Sequence, residues 1–429
     1  MDKIFHFTKE NTTLQKEITA GLTVFFAVVY IIAVNSSILA EGGIPREPAI
    51  FATILASALG SIFIGLYSNT PLVMIPGMGV NALFSYTIVS TMGLSWQSAL
   101  GTVLMGGVLF SIVAFTPLWR ILMTSIPESL KTSITVGIGL FLALLGLQKS
   151  GLIIPTPLGF GALGDLSSME VIAALLTFII ALLLYIRKVS GNFLLTILIG
   201  TIISFLFGVN SFDFAESTSF SLSGYNEIFM KFSLKDIGTI PFWIASISFA
   251  LILIFSNMGV INAYVGEMLA SPHKFHKSFK ANAISALSCG FLGTSPTVTS
   301  AESAAGIAVG GKTGLTSVIA GFLFIFCIPI IPIVGIIPDL AVAPIFIIIG
   351  LLMVQNITKI DFSNYVDGIS AFLTIILIPF TSDIVTGMGF GFIAYPLLKI
   401  ASGNIREVKP ALYLIAILFI MSFFFTVLY

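Results

Sequence analysis

One carboxylate is notable for where it sits. Glu302 lies in Gly293-Thr294-Ser295-Pro296-Thr297-Val298-Thr299-Ser300-Ala301-Glu302-Ser303-Ala304-Ala305-Gly306, a small, polar, Pro-interrupted stretch between long apolar runs. Hydrocarbon tolerates a broken backbone and a buried charge only where protein or a cavity surrounds them. A carboxylate among Ala, Ser, Thr and Gly could accept N–H groups from a flat ligand or hold a proton, with Thr299 and Ser300 as polar neighbours. The alternative is a structural hydrogen bond to a neighbouring helix. An uncompensated charge at the bilayer centre costs at least about 2.5–3.5 kcal/mol, which argues for a use.

Asn81 follows a second break, Pro76-Gly77-Met78-Gly79-Val80-Asn81-Ala82. Its amide carries both donors and an acceptor and suits the edge of a heterocycle, while helix capping is the competing reading; Gly79 would let a ligand approach the backbone. Asp383, after Pro379-Phe380-Thr381-Ser382, is a second ionisable candidate for proton coupling, although an interfacial loop position accounts for it as well. Gly306-Ile307-Ala308-Val309-Gly310-Gly311-Lys312-Thr313 fits the letters of a phosphate loop, but a membrane span follows and no acidic residue offers itself for magnesium. His273 and His276 stand among lysines in 271–280, which reads as a solvated loop rather than a metal site. Gly387-Met388-Gly389-Phe390-Gly391 reads as a packing face. Cys289 and Cys327 read as reduced core residues. No cofactor, metal or nucleic-acid partner is implied.

These residues have to be held by membrane helices. The 429 residues are 57% hydrophobic and 9% charged, with mean hydropathy +1.09, which excludes an ordinary soluble domain. After a polar start, 1–17, without the pattern of a cleavable signal, spans are expected at 18–40, 49–67, a broken 69–90, 97–117, 133–148, 171–186 and 193–208. A polar break at 209–239 separates a second group: 241–265, 281–292, the central stretch to 309, 315–331, 341–354, 369–380 and 384–400. The sequence thus predicts an all-α polytopic membrane protein of about 14 segments, organised as 1–17, 18–208, 209–239, 240–400 and 401–429. The last part contains an apolar run, 411–429, that is long enough for an extra crossing.

Lys3, Lys9, Lys16, Arg120, Lys131, Arg187, Lys188, Lys274, Lys277, Lys280, Lys399, Arg406 and Lys409 all fall on the side of the N-terminus. The positive-inside rule makes that side cytoplasmic, in the plasma membrane. The two broken segments are third in each half, the pattern of an inverted repeat with its site at the midplane. If each enters as a strand and leaves as a half-helix, two helix N-termini converge on a polar ligand. This predicts the binding centre of a secondary transporter. A channel would favour rings of repeated filter residues in an oligomer, and an enzyme a catalytic or metal cluster; the chain offers neither.

The chain resembles the adenine/guanine/hypoxanthine permease branch of the nucleobase–cation symporters over nearly its whole length. The likeness is carried by Ala27-Val28-Val29-Tyr30-Ile31-Ile32-Ala33-Val34-Asn35, the segment from Pro76 to Ala82, Gly137-Ile138-Gly139-Leu140-Phe141, and Gly146-Leu147-Gln148. It continues through the blocks around Glu302 and Gly311-Lys312-Thr313-Gly314-Leu315, then Gly350-Leu351-Leu352-Met353 and Phe372-Leu373-Thr374-Ile375-Ile376. The resemblance implies two inverted seven-helix repeats forming a core and a gate domain, and proton-coupled uptake of a purine base. It implies base contacts at Asn81 and Glu302. In the eighth segment the family carries an acidic residue; here Phe255-Ser256-Asn257-Met258 puts Ser256 in its place, beside Asn257. A carboxylate accepts two N–H bonds from a purine where a serine offers one weak donor and acceptor. The acidic residue near Thr386 is also displaced three positions, to Asp383. The partners expected are a nucleobase-like solute, a coupling cation that the resemblance makes a proton, the lipid bilayer and a second copy in a homodimer.

Overall fold

The computed structural model describes residues 5, 7–154, 161–209 and 222–428; part of the expected polar break lies outside the described residues. Helix is the course left to an apolar chain in lipid, because it satisfies every backbone group internally. The first half holds α1 (Leu14–Glu41), bent at Val29 and Tyr30, and α2 (Arg46–Ser68). Strand β1 (Met74–Pro76) leads into α3, a helix Met78–Ala82 that runs on as the wider π-helix Leu83–Thr91. Then come α4 (Trp96–Phe115), a short α5 (Leu118–Ser125), α6 (Glu128–Lys149), α7 (Met169–Ile186) and α8 (Asn192–Leu206).

The second half repeats this order. It has α9 (Ile240–Met268) and α10 (Phe275–Leu292), then strand β2 (Thr297–Thr299) leading into α11 (Ser303–Ala308). It ends with α12 (Gly314–Gly335), α13 (Asp339–Lys359), α14 (Tyr365–Thr381) and α15 (Ile384–Ala401). The protein is thus an all-α polytopic membrane protein of two inverted seven-segment repeats. Nine of these helices are long and apolar enough to cross a membrane by themselves among the described residues. The two strand–half-helix segments stand third in each repeat and pair antiparallel, as an in-plane pseudo-two-fold requires: Met74 faces Thr299, Ile75 faces Val298 and Pro76 faces Thr297.

The helices sort into two packed groups. A core joins α1, α2, α4, α9, α10 and α12, and a gate joins α6, α7, α8, α13, α14 and α15. Small residues let backbones touch where membranes supply no hydrophobic drive. In the gate, a Cβ on Gly350 of α13 would stand 2.5 Å from the Gly139 carbonyl oxygen of α6. Two details depart from expectation. Residues 271–280 are not a free loop: α10 starts at Phe275, with Phe279 buried while Lys277 stays exposed. The link between the fourth and fifth spans folds as α5, which exposes Leu118 and Ile121. A terminal helix, α16 (Pro410–Leu428), packs on α15 and α9.

Candidate functional site

The two strands meet in the middle of the protein, and their free edges need partners that lipid cannot supply. Hydroxyls and amides provide them. The Val73 N–H donates to Ser303 Oγ (3.0 Å) and the Met74 N–H to Ser61 Oγ (2.9 Å), while the Ser300 N–H donates to the Val73 carbonyl (2.9 Å). On the far edge of β2 the Thr299 N–H donates to Asn257 Oδ1 (2.9 Å). Asn282 of α10 holds that amide in place, donating to Asn257 Oδ1 (2.6 Å) and to Thr299 Oγ1 (2.9 Å). Asn257, Asn282, Thr299 and Ser300 are all buried.

A second buried network clamps the entry to β2. Asn35 of α1 donates to Thr53 Oγ1 (2.8 Å) and Thr294 Oγ1 (3.1 Å). The Ser295 hydroxyl lies 3.0 Å from Asn35 Oδ1 and 2.7 Å from Asn81 Oδ1. The other half of the Asn81 amide, its NH₂, is buried with no partner among the described residues.

Glu302 sits at the join of β2 and α11, half-buried. Its Oε1 accepts a 2.9 Å hydrogen bond from the hydroxyl of Tyr30, which occupies the bend of α1 and is 3% exposed. The Tyr30 ring meets Phe193 of α8 edge-on at 4.9 Å, so a core residue that holds the carboxylate also touches the gate. Tyr264 of α9 closes the other flank, donating to the Ala301 carbonyl at 2.7 Å. Gly79 opens α3 beside the gate: a Cβ there would reach Ile138 of α6 at 3.1 Å.

The sequence candidates therefore separate by surroundings. Glu302, Ser256 and Gly79 retain reachable surface; Asn257, Thr299 and Ser300 are committed to the scaffold, and Asn81 is buried with only its carbonyl half engaged. Ser256 is exposed, and one turn on, Gly259 has nothing within 4 Å of where a side chain would begin. Asp383 caps α15: its carboxylate accepts from the Val385 N–H (2.9 Å) and from the Thr386 hydroxyl. Sequence reasoning passed over Tyr30 and Asn282. A tyrosine within an apolar helix gives no signal, whereas a lone Asn in an apolar run could have flagged Asn282.

The phosphate-loop letters turn out to surround an anion from the chain itself. Fully buried Glu17 accepts from the Lys312 N–H (2.9 Å), the Thr313 N–H (3.2 Å), the Thr316 N–H (3.3 Å) and Thr316 Oγ1 (2.6 Å), so a carboxylate caps the start of α12. At the end opposite the N-terminus, Lys149 of the gate pairs with Glu41 of the core and with Asp339 (3.4 Å), and Ser37 donates to Asp339 (2.7 Å). Glu41, Lys149 and Asp339, with Tyr86, Gln148 and Ser382, line a cavity of about 440 Å³ between core and gate. Among the described residues, no cluster of three or more His, Cys, Asp or Glu could hold a metal.

Comparison with known proteins gives this geometry its context. A model of the Permease family matches residues 15–390. The chain is 44% identical over 384 residues to the nucleobase transporter PlAzg2 of Paenibacillus larvae, covering 89% of this chain and 77% of that one. It is 34% identical to the guanine/hypoxanthine permease PbuO of Bacillus subtilis, covering 98% of this chain and all of the other. With the adenine permease AdeP of Escherichia coli it shares 32% identity over 99% of this chain and 96% of that one. Among solved structures, the transmembrane domain of the cyanobacterial bicarbonate transporter BicA shares the fold, with a TM-score of 0.65 at 16% identity over 87% of this chain and 97% of that one.

Proposed function

This chain belongs to the Permease family and is an integral-membrane permease rather than an enzyme, and from that premise we propose that it transports purine nucleobases by proton-coupled symport. The observation that carries the reading is the half-buried Glu302 at the join of a paired strand and a half-helix, steadied by Tyr30. A carboxylate accepts N–H groups, and purines present them: guanine offers its ring N–H and adjacent amino group side by side, matching two carboxylate oxygens. Glu302 would bind the base and take up the proton, Ser256 and Gly79 would line its faces, and Asn81, Asn257, Thr299 and Ser300 would hold the strands that position it. Asp383 is the weaker coupling candidate, since its oxygens are engaged in capping.

Alternating access then follows from the two packed groups. The core carries Glu302 past the gate, and Tyr30 against Phe193 makes the site respond to that motion. In this reading the protein lies in the cell membrane with its N-terminus cytoplasmic. A second reading keeps the fold and changes the solute. Ser256, which by the family resemblance stands where an acid is expected, favours a planar or anionic solute with fewer N–H donors. Uptake of labelled hypoxanthine, guanine and adenine into vesicles under an imposed pH gradient tests the proposal. Concentrative uptake abolished by a protonophore supports it; gradient-independent equilibration would mark a passive path.

A further inference from the structure

Helix α5 lies on the same side of the membrane as the N-terminal segment, whose Glu10 pairs with Lys274 just ahead of α10. Beside it stands a group of cations. The Arg120 guanidinium sits 5.2 Å above the Trp119 ring, and that ring packs at 5.6 Å against both His276 and Phe275 of α10. One turn along α10, Lys280 Nζ stands 5.0 Å from the ring of Phe115, at the end of α4. Arg120 and Lys280 are both close enough to His276 to act on it electrostatically. The His276 Nδ1 atom is buried without a hydrogen-bond partner, and Lys277 and Lys280 make no ion pair among the described residues. Immediately beside these cations, Phe115, Leu118 and Ile121 are 49%, 43% and 51% exposed.

We propose that the corner between α5 and α10 is a binding site for the headgroup of an anionic phospholipid. Arg120 and Lys280 hold the phosphodiester, and the acyl chains lie along Phe115, Leu118 and Ile121. Cations alone at a membrane face are common and mark only orientation. Here they come from two separate elements, Arg120 over the Trp119 indole and Lys280 over the Phe115 ring, both within electrostatic reach of His276, and they border exposed apolar side chains, which a lipid satisfies at both ends and a free phosphate at only one. Such a lipid would brace α5, the link between the fourth and fifth segments and hence between core and gate.

The test uses full-length protein in detergent, with thermal melting followed as phosphatidylglycerol, phosphatidylcholine or inorganic phosphate is added, and retained lipid counted by native mass spectrometry. Phosphatidylglycerol is expected to raise the melting temperature where the other two do not. Its apparent affinity should fall on the order of tenfold or more in Arg120→Gln/Lys280→Gln. Arg120→Lys/Lys280→Arg, which keeps the charge, should retain the effect, as should Arg187→Gln/Lys188→Gln, which removes charge elsewhere on the same side. The proposal is overturned if phosphatidylcholine stabilises equally, if phosphate reproduces the shift, or if the two Gln double variants lose the effect alike.

Discussion

The Tyr30 hydroxyl donates to Glu302 across 2.9 Å, tying the bend of α1 to the join of β2 and α11. Tyr30→Phe removes that bond and leaves the ring to pack on Phe193. A hydrogen bond to a carboxyl group contributes from about 0.5–1.5 kcal/mol when it is neutral to about 1.5–3 kcal/mol when it is charged. Base affinity should fall roughly tenfold, measured by equilibrium binding, with little change in melting temperature. Unchanged affinity would mean that Tyr30 is only packing.

Ser256 and Asn257 are neighbours with opposite surroundings, one exposed and one fully buried. Asn257→Ala strands the Thr299 N–H and frees Asn282, at a cost of about 1–3 kcal/mol for the buried donor. It should lower the melting temperature and loosen binding together. Ser256→Ala should leave melting unchanged and alter base affinity alone. Equal destabilisation by both would contradict the division between scaffold and lining.

Glu17 is a stability residue on this account. Glu17→Ala leaves three backbone N–H groups and the Thr316 hydroxyl at the start of α12 without their acceptor. A loss of about 2–4 kcal/mol is expected, read as a lowered melting temperature with KM preserved in the fraction that folds. A KM effect without a stability effect would give Glu17 a role in transport instead.

Lys149 bridges core and gate at the end opposite the N-terminus, between Glu41 and Asp339. Lys149→Met leaves two carboxylates facing each other and should favour the state open at that end. A cysteine placed at Ser90, which lines the 440 Å³ cavity there, should then react roughly threefold to tenfold faster with a membrane-impermeant thiol reagent. The native Cys289 and Cys327 are buried and contribute little background. An unchanged rate would remove Lys149 from any gating role.

The membrane explains why so much of the fold was readable. Lipid forces apolar runs into helices, so their number and order emerge from hydropathy, and it penalises unpaired backbone and charge so heavily that the clustered Gly/Pro break Pro76–Ala82 and the lone Glu302 announce themselves. What it does not encode is which side of a helix faces what. Asn81 and Glu302 look alike as isolated polar residues, yet Asn81 is buried with its carbonyl taken up by Ser295 while Glu302 stays reachable. Tyr30 reads as one more apolar-compatible residue, and only the bend of α1 brings it to the carboxylate. Lys277 and Lys280 give the start of α10 the look of a loop in sequence, but a lysine at a membrane face can project outward while Phe279 stays buried.

Binding of labelled adenine, guanine, hypoxanthine and uracil to the purified protein, beside Glu302→Gln, tests the central claim most directly. The account predicts that a purine binds with micromolar affinity and that the variant loses about tenfold or more of it, since the amide offers one acceptor where the carboxylate offered two. A folded protein that binds no base, or a Glu302→Gln variant that binds it equally well, would contradict the assignment.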